Sequence, residues 1–131
     1  MGKTKQQLAF LDTNQVIFLY LGKTNRLTSK SEKVIDTHQL LISPMVSVEL
    51  AMLKEIGGLK VSPEEIVGSL AKSIGLIVEK KTLSHAFYVA ESIQWTRDIG
   101  DRIITAHAMA LKAPLITTDE LIQENYSLAI E

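Results

Sequence analysis

The sequence predicts an α/β fold, a three-layer α/β/α sandwich with a mainly parallel central sheet. Two candidate strands, Leu8-Ala9-Phe10-Leu11 and Leu40-Leu41-Ile42, are short continuous apolar runs rather than alternating apolar and polar residues, the pattern of strands covered on both faces. Amphipathic helical stretches separate such runs, so each strand is followed by a crossover. Helix-start chemistry follows the strands at once, as Asp12-Thr13-Asn14 after the first run and Ser43-Pro44 after the second.

Each element has its own local reason. Residues 8–11 form a buried strand, and Asp12-Thr13-Asn14 caps a helix through residues 16–21 that Gly22 ends. Residues 31–39 read as helix and residues 40–42 as the second strand. Ser43 caps the next helix with Pro44 in its first turn, and the helix runs to about Ile56, where Gly57-Gly58 stops it. Ser62-Pro63-Glu64-Glu65 repeats that start as a capping box and opens a helix to about Ser73. A third strand is expected over residues 75–79, helices over 83–92 and 99–112, a fourth strand over 115–117, a short helix over 120–125 and an edge strand over 127–130.

At 131 residues, with 46% apolar and 22% charged residues, the chain reads as one soluble domain spanning residues 1–131. No apolar run approaches the roughly 18 residues of a membrane span. The polar and basic residues 1–7 do not read as a signal peptide, which points to the cytoplasm. Cysteine is absent, which excludes disulfides, thiolate metal ligands and a cysteine nucleophile. A net charge of −1 gives no standing electrostatic footprint for nucleic acid, so a nucleic-acid substrate has to rest on a site. The basic residues are scattered apart from Lys80-Lys81 and the looser group Lys23, Arg26, Lys30 and Lys33, both of which read as solvated surface.

The site candidates are acidic. Asp12 ends the first strand and Asp119 follows the fourth, so in a parallel sheet both emerge at the same edge, where ligands of such sheets bind. Glu49 stands in the helix Pro44-Met45-Val46-Ser47-Val48-Glu49-Leu50-Ala51-Met52-Leu53, apolar nearly all round and expected to be buried. Met45, Val46, Met52 and Leu53 occupy its i±3 and i±4 positions and offer it no local counter-charge. Asp98 fits a helix N-cap, which places Asp101 in the first turn. Brought together without matching Lys or Arg, four carboxylates repel and their pKa values rise. A hard divalent cation such as Mg²⁺ relieves this through oxygen ligands and retained waters, whereas Zn²⁺ calls for histidine or cysteine. His38, His85 and His107 show no paired ligand spacing and read as surface or packing residues.

With these residues in view the chain resembles the PIN-domain proteins, and more narrowly the VapC-type ribonuclease toxins of toxin-antitoxin pairs. The matching pieces are Phe10-Leu11-Asp12-Thr13-Asn14, Ile42-Ser43-Pro44 through Val48-Glu49-Leu50, Asp98-Ile99-Gly100-Asp101-Arg102-Ile103-Ile104-Thr105-Ala106-His107-Ala108 and Ala113-Pro114-Leu115-Ile116-Thr117-Thr118-Asp119, in family order. The resemblance implies a PIN-like, Rossmann-like sandwich and a Mg²⁺-dependent endoribonuclease, with Mn²⁺ as a substitute. By position Asp12, Glu49, Asp101 and Asp119 match the family's acidic quartet and Asp98 an additional acid. Asn14, Ser43 and Thr117 match supporting polar positions. In the quartet the aspartates are the expected metal ligands, and Glu49 is either a fourth ligand or the group that orients water. Arg102, Arg97 and Lys23 are candidate phosphate contacts. Ile99-Gly100 stands where many relatives have Pro-Phe. The resemblance also implies an RNA substrate, a homodimer and an antitoxin protein as partner. The alternative is a catalytically silent PIN-like module that binds RNA or protein.

Overall fold

The computed structural model describes residues 6–131, so residues 1–5 of the polar N-terminal stretch lie outside the described part. Five strands form one sheet in the order β3-β2-β1-β4-β5, where β1 is Leu8–Leu11, β2 Gln39–Ile42, β3 Ile77–Val78, β4 Leu115–Ile116 and β5 Ala129–Ile130. Every pairing is parallel, with Phe10 opposite Leu41 on one side and Leu115 on the other. The all-parallel sheet meets the expectation of a mainly parallel one.

Chain order explains the layers. From β1 the chain steps outward to β2 and β3 through α1 (Thr13–Leu21), α2 (Ser29–Thr37), α3 (Pro44–Glu55) and α4 (Pro63–Ile74). It then crosses back to β4 and β5 through α5 (Leu83–Ala90), α6 (Ile99–Ala110) and α7 (Glu120–Asn125). Right-handed crossovers taken in opposite directions lead these two sets of helices toward opposite faces, and α3 also meets α6 through Met45. The reversal falls between β1 and β4, and there the carboxyl edge opens a crevice.

The central strands are buried because both faces are covered: Phe10, Leu11, Leu40, Ile42, Leu115 and Ile116 have no solvent exposure. Ile104 and Ala108 bring α6 onto this core, and Ala90, Ile93, Ile103 and Ala106 join α5 to α6 in a second cluster. His107 is a packing residue, fully buried with Nε2 3.0 Å from a Glu79 carboxylate oxygen and its ring 5.0 Å from that of Phe10. No described helix is long and apolar enough to cross a membrane.

Local differences from the sequence-based elements have local causes. Helix α2 begins at Ser29 because Thr28 accepts from the Ser31 backbone and Ser31 answers in a reciprocal capping box. The third strand shrinks to two residues because Gly75, in the left-handed region at φ 70°, closes α4. Ser62 caps α4 through the Glu65 backbone as expected. Helix α3 is not buried all round: Val46 and Leu50 face the core, while Val48, Met52 and Ile56 are exposed. Leu50→Ala therefore costs about 2–5 kcal/mol in chemical denaturation, and Val48→Ala less than about 1 kcal/mol.

A candidate metal centre at the carboxyl edge of the sheet

One residue beyond β1, Asp12 turns out of the strand and caps α1, with its backbone N–H held by the Ile116 carbonyl of β4 at 3.0 Å. Its carboxylate is almost buried and both oxygens are engaged. Oδ1 accepts from the Thr13 backbone at 2.8 Å, and Oδ2 accepts from the Thr117 hydroxyl at 2.6 Å. Thr117 Oγ1 in turn accepts from the Asp119 backbone N–H at 3.0 Å, so one hydroxyl ties the ends of β1 and β4 together. Asp119 caps α7 by accepting from the Ile122 backbone at 2.9 Å.

Two helices deliver the remaining acids. Ser43, fully buried, caps α3 by accepting from the Met45 backbone and so sets the start of the helix that carries Glu49. The Glu49 carboxylate accepts a hydrogen bond at Oε1 from the Thr13 hydroxyl. Asp98 caps α6 by accepting from the Asp101 backbone at 2.9 Å, which leaves the Asp101 side chain in the first turn. Gly100 has no side chain where α6 meets α3: a Cβ there would lie 2.8 Å from Glu49 Cδ and 3.3 Å from Asp98 Oδ1.

Asp12, Glu49, Asp101 and Asp119 line a single cavity of about 460 Å³ together with Thr13, Asn14 and Thr118, and Met52, Leu53 and Ile56 of the α3 end form its apolar wall. Asp98 is exposed and stands beside the cavity rather than in its lining, near enough to act on the charge of Asp12, Glu49 and Asp101. The candidate phosphate contacts are not among the lining residues. Lys23 and Arg97 are exposed, and the Arg102 guanidinium donates to the Ile93 carbonyl, a partner 9 positions away that nothing in the local pattern announces. Sequence reasoning also passed over Thr13, Thr118 and the apolar wall. Thr13 had a signal, since the residue after a strand-ending acid also faces the carboxyl edge.

The electrostatics are those of crowded acids. Among the described residues the one contact of salt-bridge geometry is between His107 and Glu79, and no described Lys or Arg pairs with an acid of the cavity. Burial first, then Asp98, Asp119, Asp12 and Glu49, raises the Asp101 carboxyl from 3.8 to about 7. Burial also raises Asp12 against the hydrogen bonds from Thr117 and Thr13, and raises Glu49 against the one from Thr13. The donor set is all oxygen and uncompensated, which fits a hard divalent cation. Among the described residues no three His, Asp or Glu side chains stand close enough together to hold a metal ion with protein ligands alone.

Residues 9–127 match a family model described as the PIN domain. In three dimensions the chain is similar to a chain in the crystal structure of VapBC2 from Rickettsia felis bound to a DNA fragment from their promoter. The TM-score is 0.65 at 16% identity, over 95% of this chain and 98% of that one, a likeness of fold. No curated protein matches it in sequence.

Asp101 binds its proton more tightly in the folded than in the unfolded chain, so its stabilising contribution is complete below about pH 4 and is lost as pH rises through about 7. The melting temperature of metal-free protein is expected to fall between about pH 5 and about pH 8, and Asp101→Asn to flatten that fall. A divalent cation held by these acids would raise the melting temperature more at the upper pH than at the lower.

Proposed function

The chain belongs to the PIN-domain family, and on that footing we propose that it is a Mg²⁺-dependent endoribonuclease, the VapC-type toxin of a type II toxin-antitoxin pair. Mn²⁺ substitutes for Mg²⁺, and the substrate bonds are RNA phosphodiesters. The observation that carries this reading is the convergence of Asp12, Glu49, Asp101 and Asp119, from four separate stretches of chain, on one cavity without a basic partner among the described residues.

A bound divalent ion supplies Lewis acidity toward the scissile phosphate and makes hydroxide available near neutral pH. Asp12, Asp101 and Asp119 are the groups to hold it, directly or through water. Asp12 is the most firmly oriented of them, because both its oxygens already accept hydrogen bonds. Glu49 lines the cavity with one oxygen committed to Thr13 and the other free of a hydrogen-bond partner among the described residues, and it serves as a further ligand or accepts a hydrogen from the attacking water. Asn14, exposed on the cavity wall, is placed to hydrogen-bond substrate, and Thr117 and Ser43 hold the acids and their helices in place. Arg97 and Lys23 remain the candidate phosphate contacts, and Arg102 joins them only on leaving the Ile93 carbonyl.

As such a toxin the chain acts as one PIN-like domain over residues 1–131, in the cytoplasm, as a homodimer with a cognate antitoxin protein as its partner. The VapBC2 neighbour in fold is consistent with that assignment. The test is cleavage of a defined RNA pool with and without Mg²⁺, sequencing the new ends. Asp12→Asn is expected to lower the cleavage rate at least about 100-fold, beyond the roughly 10–100-fold lost when a residue only orients a ligand. Its melting temperature stays within a few degrees of wild type. A wild-type protein that binds RNA and leaves it intact with Mg²⁺ present identifies the silent PIN-like module instead.

A further inference from the structure

We propose that Thr13 and Gly100 are the positioning residues that fix the Glu49 carboxylate in the cavity, the Thr13 hydroxyl holding one oxygen and Gly100 leaving room for the other. The inference rests on the endoribonuclease reading above.

Glu49 differs from the helix-capping aspartates in how it is held. Asp12, Asp98 and Asp119 each cap the helix they precede and accept from its backbone N–H groups, so their placement follows from the main chain. Glu49 stands mid-helix in α3, without an ion-pair partner, and its hydrogen bond is the side-chain one from Thr13, 36 positions away. A long flexible side chain held by a single bond samples several rotamers unless something confines it.

Gly100 leaves the space that this carboxylate position occupies. A Cβ at this position would fall on the Glu49 carboxylate, with Cδ at 2.8 Å, and would stand 3.3 Å from Asp98 Oδ1. The carboxylate therefore lies close against Gly100 in the first turn of α6, with its Oε1 held by Thr13. Glycine inside a helix is the poorer helix former, so at a buried first-turn position it marks a close approach rather than a helical preference. Gly100 and Glu49 therefore form a pair across the contact between α6 and α3.

Three variants test this. Gly100→Ala inserts a better helix former and one methyl group. It is expected to melt at or above the wild-type temperature, yet to lower kcat on RNA at least about tenfold with KM within about twofold of wild type. Thr13→Val lowers kcat likewise, and Thr13→Ser, which keeps the hydroxyl, restores it. In a Glu49→Gln background, Gly100→Ala and Thr13→Val cause no further loss, because the group they position is already gone. The Glu49 side-chain carboxyl carbon, followed by NMR in metal-free protein, shifts in Gly100→Ala and Thr13→Val and returns in Thr13→Ser. Full kcat in either variant, or losses undiminished in the Glu49→Gln background, overturns the proposal. If the wild type cleaves no RNA, the endoribonuclease reading fails alone and the NMR signal decides positioning: an unmoved Glu49 resonance overturns it and a moved one upholds it.

Discussion

Four carboxylates share a cavity at the carboxyl edge of a parallel sheet, and no lysine or arginine among the described residues pairs with them. Their mutual repulsion, strengthened by partial burial, works against the folded state whenever they are ionised. The surrounding structure offsets this with fixed donors. Backbone N–H groups at two helix starts point at Asp12 and Asp119, and those of a third at Asp98 beside the cavity, where the partial positive charge of the helix end favours an anion. Thr117 and Thr13 add hydroxyl donors to Asp12 and Glu49.

The fold makes this possible through topology. Because the strand order reverses beside β1, the ends of β1 and β4 open side by side, and the two acids that follow those strands meet there. Thr117 then joins them with one side chain, accepting from the Asp119 backbone and donating to the Asp12 carboxylate. Helices α3 and α6 close the site from either side. The donors preorganise the acids without neutralising them, and residual charge of this kind favours a divalent cation together with a phosphate.

Much of this is legible in the sequence because it depends on local pattern. Asp12 and Asp119 stand out as strand-ending acids followed by helices, and Glu49 as an acid whose helical neighbours are all apolar. The all-parallel sheet follows from continuous apolar runs separated by helices. What escapes is whatever depends on a distant partner. Neither the Thr13–Glu49 bond nor the Arg102–Ile93 contact has a local signature. The room at Gly100 exists only because α3 crosses the start of α6. The exposed face of α3 was obscured for a related reason, since Met52, Leu53 and Ile56 are apolar but line a cavity rather than a core.

The most direct test of a charge-crowded, ion-binding cavity is calorimetric titration of Mn²⁺ into metal-free protein at about pH 8, alongside the Asp12→Asn and Asp119→Asn proteins. Saturable binding by the wild type, weakened at least about tenfold in each variant, is the predicted result. Folded wild-type protein that takes up no Mn²⁺, or variants that bind it equally well, would contradict it.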